Sequence, residues 1–312
     1  MSTNACGTAL NTGQPNCVPN FKVDTGIILL PYLADDGTVN SIKTTDTFDN
    51  TYVTARLNAG IAGTSGSALS RSQRWYPLMG LKAVIGERAE NTTQDIEGVA
   101  YNVKAGVRNY DGTIYGNAGS PKLLKALESR AATKDAYFKV DINGNLVGIV
   151  DETTGDMNPI RIENSTFSPR LMDPKDAEVQ ALNLKFTVDT REKDSDLGIL
   201  TAQTITADLL DIQGLVDVVG VATLPTTTTV TLTASFIYGD AFVPKKFTGA
   251  VLADFPVYNV TTASAVVPAS VVETPADSGI YLFTYAAQTA LDVMTINLAK
   301  DGFEMSEVTF TV

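Results

Sequence analysis

The residues that could carry chemistry in this chain fall into a few short clusters, each implying a different reaction. Asp141-Ile142-Asn143-Gly144-Asn145, with Glu152 at the twelfth place counted from Asp141, has the opening and the close of a calcium loop. Its sixth place, which needs glycine for a sharp bend, is Leu146, and LVGIV follows as apolar strand. The Asn143-Gly144 pair is therefore read as a hairpin turn. Gly63-Thr64-Ser65-Gly66-Ser67 has the composition of a phosphate or nucleophile loop but the spacing of neither, and it is read as a plain loop. Asp189, Glu192, Asp194 and Asp196, interleaved with Arg191 and Lys193, bring carboxylates close enough for acid-base work; mixed charge of this kind is more commonly a solvated turn. Trp75 and Tyr76 offer rings for stacking on a sugar or base, yet they run on into Pro77, Leu78, Met79 and Leu81, as a core or interface anchor does.

Composition narrows the chemistry further. The 312 residues include no histidine, which removes the commonest neutral-pH base, the usual zinc ligand and every Ser-His or Cys-His pair. Two cysteines, Cys6 and Cys17, cannot make a tetrahedral site alone; they pair locally or stay free. No catalytic, cofactor-binding or metal-binding residue is assigned, no cofactor is called for, and the expectation is a protein that is not an enzyme. A formal charge of −12 disfavours an electrostatic grip on phosphates, whereas an acidic wall would let DNA slide past. With neither a basic-then-apolar leader nor an apolar run of about eighteen residues, no membrane anchor is expected, and synthesis in a cytoplasm is the default.

The elements that would hold these residues are mostly strands. Residues 1–20 are polar and aperiodic, an arm that orders against a partner. FKVDTGIILLPYL at 21–33 reads as strand, followed by an Asp36-Gly37 turn. Asn58 to Ser72 is small and polar, a mobile or assembly loop. Arg74 to Asp95 continues as strand, and Tyr101 to Gly116 alternates with a second turn at Asp111-Gly112. SPKLLKALESRAA at 120–132 is the one helix expected, with Ser120 as cap, Pro121 in the first turn and Leu123, Leu124 and Leu127 on one face. Residues 136–150 form a hairpin. In LNLKFTVDT, at 182–190, Leu182, Leu184, Phe186 and Val188 share a buried side.

Near position 223 the composition changes. TLPTTTTVTLT reads as a stiff joint, and seven short strands follow in about ninety residues, the pattern of a sandwich. Asp277-Ser278-Gly279-Ile280-Tyr281 matches the Asp-x-Gly-x-Tyr string of an immunoglobulin-type corner, whose tyrosine hydroxyl ties back to the backbone. Phe283 stands where such domains usually carry cysteine.

GVRNYDGTIYG, the helix SPKLLKALESR, LNLKFTVDT and the ending ADSGIYLFTYAAQTALDVMTINLAKDGFEMSEVTFTV together resemble a tailed-bacteriophage tail tube protein with a carboxyl-terminal immunoglobulin-like domain. The resemblance implies an all-β fold with one short helix: an arm at 1–20, a tail-tube-like β-sandwich or split barrel at 21–222, and an immunoglobulin-like β-sandwich at 223–312. It implies a homo-oligomeric ring, hexameric in this family, stacked on its copies and joined to other tail or neck proteins, with DNA passing through transiently and non-specifically. Its place would be the virion tail, assembled in the bacterial cytoplasm, with Met1–Asn20 and Asn58–Ser72 making ring-to-ring contacts. The alternatives are a ring or connector protein of a phage neck or short tail, and a host-surface or glycan-binding module.

Overall fold

Gly26-Ile27-Ile28-Leu29-Leu30 is a continuous apolar run, and a strand of that kind needs cover on both faces. In the computed structural model, which describes residues 21–104, 106–116, 121–131, 133, 135–239 and 244–312, this run is β1 (Asp24–Pro31), and Ile27 through Leu30 are all fully buried. The arm at 1–20 with Cys6 and Cys17, and the Ser120 cap, lie outside the described residues. Among those described, the protein is built overwhelmingly of β-strands with two α-helices, and no helix is long and apolar enough to cross a membrane. The chain falls into two compact units: residues up to Val53 with Ser72–Gly214, and Thr54–Arg71 with Leu215–Val312.

In the first unit, β1 is followed by β2 (Tyr76–Met79), β3 (Leu81–Ile85), β4 (Thr92–Ile96), β5 (Val99–Lys104), β6 (Asn109–Tyr115), β7 (Asp135–Asp141) and β8 (Leu146–Val150). Then come β9 (Met157–Asn158), β10 (Ile160–Arg161), β11 (Ser168–Met172), β12 (Ala181–Thr187) and β13 (Leu197–Leu200). One sheet runs β13-β8-β7-β1-β2, with β9 beside β8 and β10 beside β7; a second runs β11-β12-β6-β3. Their facing sides share a core in which Ile27, Leu29 and Tyr137 of the first sheet meet Leu81, Tyr110, Ile114, Leu182, Leu184 and Phe186 of the second. The ring of Phe186 is central, stacked on Tyr110 at 4.7 Å and edge-on to Tyr137 at 4.9 Å.

The single strand expected from Arg74 onward is broken at Gly80, whose φ of 77° suits glycine. The break lets β2 pair with β1 and β3 pair with β6, so one apolar run serves both sheets. Asp111-Gly112 is not a turn. It lies inside β6, where Asp111 faces Lys185 of β12 with a 2.9 Å ion pair, and the cross-strand ladder overrides the local turn preference. The Asp36-Gly37 turn is present, with Gly37 at φ 81°. Helix α2 (Pro121–Glu128) forms as the leucine spacing predicts. Just beyond it Arg130 makes two bonds to the buried Asp135 carboxylate, at 2.7 and 2.8 Å, tying the end of the helix to β7. Helix α1 (Asn50–Leu57) is an addition to the one helix expected; Asp49 begins it, its carboxylate accepting from the Tyr52 amide at 2.8 Å.

The second unit holds β14 (Val216–Thr223), β15 (Thr229–Gly239), β16 (Pro244–Lys246), β17 (Val257–Asn259), β18 (Ser264–Val266) and β19 (Ser270–Glu273). It ends with β20 (Ile280–Thr284), β21 (Val293–Ile296), β22 (Phe303–Met305) and β23 (Val308–Thr311); after Thr223 there are nine described strands, β15 to β23, where seven were expected. The sheets are β19-β20-β15-β14-β22, with β16 on β15, and β18-β17-β21-β23. Lettered from β14, omitting β16 and the short β22, they read D-E-B-A and C′-C-F-G, the arrangement of an immunoglobulin-type sandwich. The threonine-rich stretch is a turn between β14 and β15, closed by Thr226 N to Thr229 O at 2.7 Å, and not a joint between domains. Accordingly the second unit takes in residues from Leu215.

Asn58 to Ser72 is folded, not loose. Asp301 accepts from Asn58 Nδ2 at 3.1 Å, from the Ser65 amide at 2.9 Å and from the Ser65 hydroxyl, while Gly302 N donates to Asn58 Oδ1 at 3.0 Å. The small residues permit this packing: a Cβ on Gly66 would lie 2.4 Å from the Ala55 carbonyl oxygen. Tyr281 donates to Phe247 O at 2.9 Å and accepts from Ala250 N at 3.3 Å, so its hydroxyl does tie back to the backbone. The tyrosine sits on the E-position strand rather than F, and the tie reaches residues 31 and 34 places upstream. Phe283, two places on along the same strand, is therefore not at the cysteine place of strand F; it is fully buried with its ring 5.3 Å from Phe255. Tyr281→Phe should cost about 1–3 kcal/mol by stranding the Phe247 carbonyl, read as a lower urea midpoint for loss of β-sheet circular dichroism.

Candidate functional site

Among the described residues, the strands β4 and β5 pair only with each other. Their loop is two residues, Glu97 at φ 55° and Gly98 at φ 81°, the paired positive angles that a tight hairpin requires, and Asp95 secures it by accepting from Gly98 N at 2.9 Å. In the register, Ile96 faces Val99 and Gln94 faces Tyr101. Side chains alternate along a strand, so Val99 and Tyr101 line up with Ile96 on one side of the ribbon, and Val103 follows at a bulge between Asn102 and Lys104. All four are more than half exposed, from 51% to 62%. A one-sided apolar ribbon is the pattern of a half-buried strand, but here no described sheet covers it.

Below the tip, the ribbon is held rigidly. Arg88 and Arg108 lie opposite each other in an isolated bridge, and Ala89 N donates to Val107 O at 2.9 Å. Gly106 sits where the two chains touch: a Cβ there would lie 1.6 Å from the Ala89 carbonyl oxygen, so only glycine fits. Asp194 is seated between the two arginines, bonded by Arg88 Nε and Nη2, both at 3.0 Å, and by Arg108 Nη2 at 3.2 Å. Arg88 also donates to Gly106 O at 2.9 Å and Glu192 O at 2.8 Å. The Arg88 hydrogen bonds, aided by the charge of Arg108, hold the Asp194 carboxyl below the usual carboxylate range against the cost of burial.

Within the acidic cluster at 189–196, Asp189, Glu192 and Asp194 form an ionic clamp, while Lys193 and Asp194, and in part Asp196, still face solvent as a turn does. Asp189 and Glu192 are buried, and each has its own arginine: Asp189 is bonded by Arg191, which holds its carboxyl low, and Glu192 accepts from Arg161. Asp189 and Asp194, held low by their arginines, stay ionised and are poor proton shuttles near neutrality. Other candidates are likewise absorbed into the fold. Asp141 accepts from the backbone amides of Asn143 and Asn145 and from the Asn145 side chain, completing the β7–β8 hairpin at Gly144. Trp75 is buried among Phe48, Tyr52 and Phe138, with ring centroids 5.9 to 6.1 Å away, which is the core-anchor reading. Ser65 lies in the folded 54–71 segment, bonded to Asp301.

The hairpin is what the sequence reading lacked. Its signal was present as Glu97-Gly98 between TTQDI and VAYNV, a weaker form of the Asn-Gly and Asp-Gly pairs. Comparison with known proteins adds no relative: no protein-family profile matches the chain, and no curated protein matches it.

Because Asp194 and Asp189 are held low in the fold, their contribution to stability is complete above the ordinary aspartate value of about 3.9 and is lost as pH falls through the lower folded values. Asp194→Asn should therefore lower the melting temperature at pH 7 and flatten its fall below pH ~4. Melting curves from pH 7 to pH 2 check this; parallel curves for the two proteins would remove Asp194 from the clamp.

Proposed function

We propose that this chain is a structural subunit that assembles with copies of itself, and that the assembly is the stacked ring of a bacteriophage tail tube. The observation that carries the reading is the projecting β4–β5 hairpin, with one apolar face exposed and a rigid ionic base. A two-stranded ribbon is marginal by itself in water. Covering a large apolar side chain yields about 1.5–3 kcal/mol, so Ile96, Val99 and Tyr101 on one face form a substantial contact. This contact replaces Asn58–Ser72, which is engaged with Asp301 inside its own unit, as the favoured ring-to-ring element.

Two further features support self-assembly. The sheet β11-β12-β6-β3 ends, among the described residues, on the open strands β11 and β3. Heterologous pairing of opposite edges closes a ring when the rotation is right, and a closed ring removes edges that would otherwise aggregate. The net charge of −12 suits a channel past which DNA moves without sticking. In this reading the immunoglobulin-type unit decorates the particle, the partners are copies of the chain and neighbouring tail proteins, and the location is the virion. The commitment of Asp189, Glu192 and Asp194 to arginines supports a non-enzymatic role.

The test is negative-stain microscopy and sedimentation of the purified protein and of the triple variant Val99→Thr, Tyr101→Thr, Val103→Thr. The parent should form rings or tubes of regular diameter, and the variant should remain monomeric with unchanged circular dichroism. A parent that stays monomeric at high concentration, or a variant that assembles as well as the parent, would sink the hairpin-driven reading.

A further inference from the structure

The second unit has an open lane on its β14 edge. On its inner side β14 pairs with β15 as far as Thr223, but on its outer side β22 runs parallel to it only over Val216, Asp217 and Val218. At Met305 the chain leaves that sheet, and after Ser306 and Glu307 it continues as β23 in the other. From Val219 to Thr223 the outer edge has no strand beside it among the described residues. A groove of about 400 Å³ opens there, lined by Val218–Ala222 on one wall and Ser306–Thr309 on the other.

The β14 side of the lane is unguarded, although Glu307 stands on the facing wall. Natural edge strands carry charge or proline to discourage pairing, and the opposite edge of the same unit does so, with Pro268 and Pro275 flanking β19 and Glu273 within it. Val218-Val219-Gly220-Val221-Ala222-Thr223 has neither. Gly220 points at the core, where a Cβ would come within 2.8 Å of Met305 and Val308, so Val219, Val221 and Thr223 point outward. Val219 and Val221 are 43% and 53% exposed, and Leu224, just past the lane, is 80% exposed.

We infer that this edge is an interaction surface for a second copy of the same edge, the two β14 strands pairing antiparallel about a two-fold axis at Val221. Alternation of the ladder hydrogen bonds restricts a two-fold antiparallel pair to registers centred on a residue. Centring on Gly220 would require Asp217, which β22 already occupies, and centring on Ala222 leaves Val219 unpaired. Val221 alone uses the whole lane, pairing Val219 with the partner's Thr223 and Gly220 with the partner's Ala222. The copy fits itself in two respects. The small Gly220 and Ala222 meet across the groove side, where bulk would be excluded. No charged residue of one β14 lies opposite one of the other, since Val219–Thr223 is uncharged; Glu307 stands on the far wall of the groove.

A five-residue ladder is small beside the ~1,200 Å² of a stable interface, so it is weak between free chains and gains strength where copies are arrayed on a common assembly. It uses none of the hairpin, so the two contacts fail independently.

The register is tested by cross-linking the full chain carrying Cys6→Ser and Cys17→Ser. Cross-strand Cα atoms at the axis lie ~4.5–5.5 Å apart, within disulfide reach. Two copies of residue 219 would lie roughly 14 Å apart. Val221→Cys should yield a covalent dimer on mild oxidation at least tenfold more than Val219→Cys does. A mixture of Val219→Cys and Thr223→Cys proteins should give a heterodimer exceeding either homodimer, which reads the register even if Val221→Cys melts abnormally. Equal yields at 219 and 221, or no dimer from variants that melt like the parent, would overturn it, as would be the case if the lane takes a strand from another protein.

Discussion

A strand at the end of a sheet has one row of backbone N–H and C=O groups without a partner, and that constraint organises both units of this protein. The hydrophobic cores are satisfied: Phe186 sits among rings in the first unit, and Phe255, Tyr281 and Phe283 do the same in the second. The edges are not. In the first unit β11 and β3 end a sheet and β4–β5 stands alone; in the second, β22 abandons β14 halfway along. Some edges are guarded by proline or charge, as at β19, and others are left bare. Bare edges are a liability in a monomer and a joining device in an assembly.

Charge serves the same end by a different route. Burying a carboxylate is expensive unless a cation and hydrogen bonds go with it. Asp194, Glu192, Asp189 and Asp135 each have an arginine beside them. The Arg130–Asp135 pair fastens the end of α2 to β7, where burial, the larger effect, raises the Asp135 carboxyl and Arg130 opposes it. The Asp194 pairs fasten the base of the hairpin. The result is a ribbon fixed at its root with its apolar tip presented to solvent, which reduces the ordering entropy a partner must overcome.

How much of this could be read in advance differs from element to element. GIILL, the alternating LNLKF and the Asn143-Gly144 turn were legible because local pattern and final burial agree there. The Asp111-Gly112 pair misled, since a turn signal counts for little when both flanking strands find partners in register. The small residues of 58–72 suggested looseness because composition cannot show that Asp301, more than two hundred positions later, closes on them. The acidic cluster was readable as charge but not as a clamp, since its arginines come from 88, 108 and 161 as well as from 191.

The sequence by itself determined the β-rich class, the helix at 121–128, the exclusion of histidine chemistry and the presence of a sandwich near the carboxyl end. All of these follow from composition, period and turn chemistry within a dozen residues. Tertiary structure decided where the strands stop having neighbours. Which edge lies bare, which carboxylate meets an arginine, and that Tyr281 reaches Phe247 and not a nearer carbonyl depend on contacts between distant segments. Strand pairing is non-local, and a period of two fixes only which face a side chain takes, not which strand comes to lie beside it.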